Sequence, residues 1–114
     1  MAACYDHALR GTGVTPPEIS NSGEHAIHVY AAQVADRDRV RQTLLARGVE
    51  TRVHYPAPVH LMQAYADLGY RRGQFPVSEA LARRELSLPV FPGMTAVQMD
   101  RVVTALSEVM RHSR

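Results

Sequence analysis

The sequence predicts an α+β domain: a small antiparallel or mixed sheet of about three strands with helices packed on one face. Three observations predict it. The 114 residues are one domain's worth of chain, enough to bury a modest core. The hydrophobic period switches between alternation, as in residues 49–55, and helical spacing, as in residues 99–110. The order of segments reads strand, helix, strand, short helices, strand, helix, which suits a layer of helices on a sheet. Residues 1–24 read as a short helix followed by a linker, and residues 25–114 as the domain proper.

The elements follow in order. Residues 2–10 fit a short helix with Tyr5 and Leu9 on one side and Gly11 ending it. Residues 11–24 carry Gly11, Gly13, Pro16, Pro17, Asn21, Ser22 and Gly23, the chemistry of turns. Residues 25–34, His-Ala-Ile-His-Val-Tyr-Ala-Ala-Gln-Val, read as a strand. Asp36 is placed to cap the next helix, whose inner face carries Val40 and Leu44 with Leu45 beside them, and Gly48 stops it. Val49, Thr51, Val53 and Tyr55 then alternate with Glu50, Arg52 and His54, as in a half-buried strand. Pro56 and Pro58 end that strand, since proline gives the ladder no N–H.

A helical turn around Leu61–Leu68 follows and ends at Gly69, with Tyr65 and Leu68 expected in the core. Gly73 and Pro76 mark a loop, residues 77–85 a second short helix, and Leu86–Val90 an apolar edge or end strand. Thr95 and Gln98 form a capping box, and Met99, Val102, Val103, Leu106, Val109 and Met110 then keep helical spacing.

Composition narrows the function. All thirteen basic residues are arginine, and the net charge is only +2. Pairs such as Arg71-Arg72 and Arg83-Arg84 read as solvated surface, and no nucleic-acid-binding motif has the right spacing. No apolar run is long enough to span a bilayer, and the N-terminus lacks the basic-then-apolar order of a signal peptide. One cysteine, Cys4, gives no internal disulfide and no sign of an oxidising compartment. Neither a nucleic acid nor a membrane is therefore expected as a partner, and the expected location is the cytoplasm. There is no lysine. Imine chemistry at a positioned lysine is excluded within these residues, because arginine stays protonated and delocalised.

The segment from His54 to His60, His-Tyr-Pro-Ala-Pro-Val-His, concentrates the chemical groups. Two imidazoles and a phenol around a proline-stiffened turn could meet an anionic or sugar-like ligand, or could simply be a turn that contains two histidines. His-x5-His lacks further ligands at a recognised metal spacing, and Cys4, His25 and His28 add none, so no metal site is assigned. Ser78 and Ser87 lack a nucleophile elbow.

Taken together, these motifs resemble a known family. Arg37-Asp38-Arg39-Val40 with Leu45-Ala46-Arg47-Gly48-Val49-Glu50-Thr51, the turn from His54 to Leu61, Leu68-Gly69-Tyr70, the run from Gly73 to Glu79 and the run from Leu86 to Pro92 occur in one order over about residues 25–110. That order resembles the C-terminal small domain of the DegT/DnrJ/EryC1/StrS aminotransferases, fold-type I enzymes that use pyridoxal phosphate (PLP) to make amino sugars. The resemblance implies a PLP-dependent nucleotide-sugar aminotransferase as the complete enzyme. It assigns substrate binding to His54, Tyr55 and His60, and no catalytic or cofactor-binding residue to this chain. The family's lysine lies in the preceding large domain, so the chain alone is expected to be inactive and to hold no cofactor. Three forms remain open: a truncated or fragment form, a subunit of a split enzyme that binds a separate lysine-bearing large domain, or an independent small-ligand or metal-binding module. A homo-oligomer is open as well.

Overall fold

The computed structural model describes residues 2–19 and 25–112. Its order is helix α1 (Ala2–Ala8), strand β1 (Tyr30–Gln33), helix α2 (Arg37–Ala46), two 3-10 turns (Val59–Leu61 and Gln63–Leu68), helix α3 (Pro76–Arg84), strand β2 (Glu85–Leu88) and helix α4 (Ala96–Arg111). The α+β class holds, but among the described residues the sheet has two antiparallel strands rather than about three, with Tyr30 opposite Leu88 and Gln33 opposite Glu85. Single-residue bridges flank the pair: Thr15 on Gln33 of β1, and Arg52 on Ser87 of β2.

The expected strand at 49–55 shrinks to the Arg52 bridge for a readable reason. Arg52 and Ser87 exchange both backbone hydrogen bonds, at 3.1 and 2.8 Å. In an antiparallel ladder the next bonded pairs would be His54 with Glu85 and Glu50 with Pro89. Pro89 has no N–H, and its carbonyl accepts the Tyr5 hydroxyl at 2.8 Å. The Glu85 carbonyl accepts from Arg37 Nη1 at 3.0 Å, and the His54 N–H goes to the Glu85 side chain. Both ends of the third ladder are thus occupied by other partners. For the same reason β2 is not an edge: it is paired on both sides and all four residues are buried.

Alternation gives the sheet two distinct faces. Tyr30, Ala32, Leu86 and Leu88 point into the core, where they meet Tyr5, Leu9 and Val14 from the N-terminal segment, Val40 and Leu44 of α2, and Val102, Ala105, Leu106, Val109 and Met110 of α4. Tyr5 and Tyr30 stack at 4.8 Å, and Tyr30 donates its hydroxyl to Asp6 at 2.6 Å. Glu85 and Ser87 lie on the opposite face, on the side from which Arg52 and His54 approach.

Helix ends explain the remaining boundaries. The Thr95–Gln98 capping box forms as expected, with Thr95 Oγ1 accepting from the Gln98 N–H and the Gln98 side chain accepting from the Thr95 N–H. Helix α2 ends in a Schellman turn: Val49 N–H donates to Leu44 and Gly48 N–H to Leu45, both at 2.9 Å, with Gly48 at φ +77°. Asp36 precedes α2 but does not cap it; its carboxylate takes Arg39 Nε at 2.6 Å. Leu45 is exposed rather than on the inner face, and the expected strand at 25–34 is confined to Tyr30–Gln33. The expected loop at 11–24 and the C-terminal tail lie partly outside the described residues. Arg71, Arg72, Arg83 and Arg84 are exposed, as expected.

This packing yields a stability prediction. Leu106→Ala should cost about 2–5 kcal/mol, the loss of a fully buried leucine. Thr51→Val should be neutral or stabilising, because the buried Thr51 hydroxyl has no hydrogen-bond partner among the described residues. Denaturant melts of the two variants would check both; a Thr51→Val protein less stable than the parent would contradict the assignment of an orphaned hydroxyl.

Candidate functional site

The turn that follows the Arg52 bridge forms one side of an open groove of about 830 Å³. The His54–Tyr55 peptide is cis. Pro56 and Pro58 carry the chain away from the sheet into the two 3-10 turns, which end at Gly69 with φ +72°. Tyr70, Phe75 and Leu81 line the groove as well. His54, Tyr55 and His60 all line it, so the structure gathers the three expected ligand-facing residues on one cavity.

The two histidines are held differently. His60 is buried, its side chain only 8% exposed, and its Nε2 lies 3.1 Å from Oε1 of Glu79, itself 7% exposed. The same oxygen accepts the Gly73 N–H at 2.7 Å. The His60 ring also stacks against Phe75 at 4.8 Å. Burial would push the Glu79 carboxyl up. The Gly73 N–H, the His60 side chain and the Phe75 backbone outweigh it and hold the group below the ordinary glutamate value. His60 therefore acts first as an anchor that ties the 59–69 turns to α3.

His54 stays exposed, with one edge anchored. Its backbone N–H donates to Glu85 Oε2 at 2.7 Å, and its Nδ1 lies 2.8 Å from Ser87 Oγ. Ser87 in turn donates its hydroxyl to Glu85 Oε1. Tyr55 is exposed and meets the His54 ring edge-on at 5.6 Å.

Several expectations change here. Tyr65 and Leu68 are exposed and line the groove instead of entering the core. Their helical spacing does mark an apolar face, but that face opens onto the cavity. Residue 85 begins β2 rather than ending α3. Among the described residues no group of three or more His, Cys, Asp or Glu is placed to hold a metal ion. Cys4 is an exposed free thiol. No helix among the described residues is long and apolar enough to cross a membrane.

Sequence reasoning passed over Glu79, Glu85 and Ser87 as site residues. A usable signal existed for two of them: Glu85 and Ser87 alternate with Leu86 and Leu88, which places a carboxylate and a hydroxyl together on one face of a buried strand.

Fold and groove define the class: residues 1–107 match the DegT/DnrJ/EryC1/StrS aminotransferase family, and the chain belongs to it. Members of this family are PLP-dependent. The chain is 43% identical over 107 residues to the erythromycin biosynthesis sensory transduction protein EryC1 of Saccharopolyspora erythraea, covering 93% of this chain and 29% of that protein. It is 38% identical over 109 residues to the dTDP-3-amino-3,4,6-trideoxy-α-D-glucose transaminase of Streptomyces venezuelae, covering 95% and 29%. It superposes on the crystal structure of S. venezuelae DesV in complex with a ketimine intermediate with a TM-score of 0.91 and 37% identity, covering 96% of this chain and 30% of that one. The chain thus spans under a third of the length of these relatives.

The Glu79 anchor predicts an acid limit to stability. Its folded value lies below its unfolded value, so ionised Glu79 supports the fold above the ordinary glutamate range near 4.3. That support is lost as pH falls through the folded value. His60→Ala removes one of the groups that hold the carboxyl down, so its acid unfolding should begin at higher pH. Thermal melts from neutral pH downward would show it; identical acid limbs for parent and variant would mean the pair adds nothing.

Proposed function

We propose that the chain is the C-terminal small domain of a PLP-dependent nucleotide-sugar aminotransferase, and that His54, Tyr55 and His60 form one wall of its substrate pocket. The observation that carries this reading is the groove at the histidine turn, within the span of the family match. It combines an exposed, anchored imidazole and a phenol with an apolar lining. His54 and Tyr55 would orient a polar, hydroxyl-rich ligand, and His60 with Glu79 would keep the wall in shape.

The cofactor itself does not fit these residues. When bound, PLP supplies an electron sink that needs a lysine amine to hold its aldehyde, and the chain has none. Among the described residues no arginine lines the groove to meet a phosphate either. The chain alone is therefore proposed to be inactive. The partner this reading calls for is a lysine-bearing large domain, on the same polypeptide or a separate one. The exposed apolar side chains of the groove, among them Met62, Tyr65, Leu68 and Phe75, support it, since monomeric proteins seldom leave such a patch uncovered.

A chimera tests the reading. Residues 1–107 would replace the matching segment of the S. venezuelae transaminase. We expect measurable transamination of that enzyme's substrate, loss of about tenfold in kcat/KM on His54→Ala, as for one ligand hydrogen bond, and no turnover by the 114-residue chain with added PLP. A folded chimera without activity would sink the family function for this chain, and turnover by the chain alone would refute its proposed inactivity.

A further inference from the structure

We infer that Glu85 and Ser87 are positioning residues that fix His54 in its Nδ1–H tautomer, so that the groove meets an unprotonated Nε2 as hydrogen-bond acceptor. The Glu85 carboxylate is buried, 4% exposed, and an ionised carboxylate only accepts. Its Oε2 takes the His54 backbone N–H at 2.7 Å, and its Oε1 takes the Ser87 hydroxyl proton. A serine hydroxyl has one proton, and here that proton is already committed to Glu85. Ser87 Oγ can therefore offer His54 Nδ1, 2.8 Å away, only a lone pair, and Nδ1 must carry the hydrogen between them. In a neutral imidazole the other nitrogen is then an acceptor.

The placement gives that acceptor somewhere to act. Ser87 is buried and His54 is exposed, so the Nδ1 edge is the inward one. Nε2 makes no hydrogen bond among the described residues, and His54 borders both the main groove and a smaller cavity beside Arg52 and Phe91. An acceptor there selects for a donor on the ligand, such as a hydroxyl or an ammonium, and disfavours a bare carbonyl or phosphate oxygen. That this ligand is the substrate rests on the aminotransferase reading; the tautomer does not.

Long-range proton–nitrogen NMR on the imidazole-labelled 114-residue chain at about pH 8, above the ordinary histidine range near 6.5, reads the tautomer directly. We expect His54 to show a protonated Nδ1 and an unprotonated Nε2. Ser87→Ala should shift the tautomer ratio toward Nε2–H on the order of fivefold, the weight of one ordinary hydrogen bond, while Ser87→Thr keeps the hydroxyl and the parent ratio. An Nε2–H tautomer in the parent chain overturns the inference, and so does a Ser87→Ala ratio equal to the parent's. The parent spectrum decides alone if a variant does not fold. A parent Nδ1–H signal beside an inactive chimera would leave the relay standing and remove the aminotransferase reading, so the two can fail separately.

Discussion

Glu85 occupies the point where three parts of the chain meet. Its carbonyl accepts from Arg37 at the start of α2, its carboxylate holds the His54 backbone and the Ser87 hydroxyl, and its own backbone is the first residue of β2. Burying a carboxylate is costly unless its oxygens are bonded, and both oxygens are. Arg37 is buried too, and its Nε donates to Asp38 at 2.6 Å. The consequence is structural: what would have been the third strand of the sheet is diverted into a loop. The groove exists because that ladder stops after one bridge.

The opposite face of β2 makes this diversion tolerable. Leu86 and Leu88 carry the hydrophobic core with Tyr30, Ala32 and α4, so a polar network on the other face does not have to hold the fold by itself. The N-terminal segment joins the same core. Tyr5 is fully buried, and burial pushes its hydroxyl up to about 12, so it stays a neutral donor to Pro89 at any ordinary pH. That hydrogen bond closes the far end of the third ladder. The two ends of the interrupted strand are thus held by a phenol from the core side and a carboxylate from the groove side.

Much of this was legible in the sequence, and the losses have physical causes. Helix α4 with its capping box and the Gly48 stop follow from local chemistry, and local chemistry decides them in the structure. The third strand did not follow, because its length depends on where the Glu85 carbonyl and the His54 N–H find partners, and those partners are Arg37 and a side chain distant in sequence. Leu45, Tyr65 and Leu68 show the limit of periodicity: spacing marks an apolar face but says nothing about whether that face meets a core or a cavity. The site was half visible. His54, Tyr55 and His60 could be picked out from a crowded turn, while Glu79, Glu85 and Ser87 act only once the fold has brought them to those histidines.

The division of labour between the two histidines bears on what the groove is for. A turn with two equivalent, exposed imidazoles would suit a metal or an adventitious ligand. Here one imidazole is sunk against Glu79 and Phe75 and the other keeps one edge free. Anchoring one and presenting the other is the arrangement expected of a wall that must keep its shape while meeting something across the cavity. The apolar lining makes the same point, since Tyr70, Phe75 and Leu81 gain nothing from facing water. The lysine-free composition and the open groove support the proposed reading, in which the chemistry belongs to a part that faces this wall and orientation belongs to the wall.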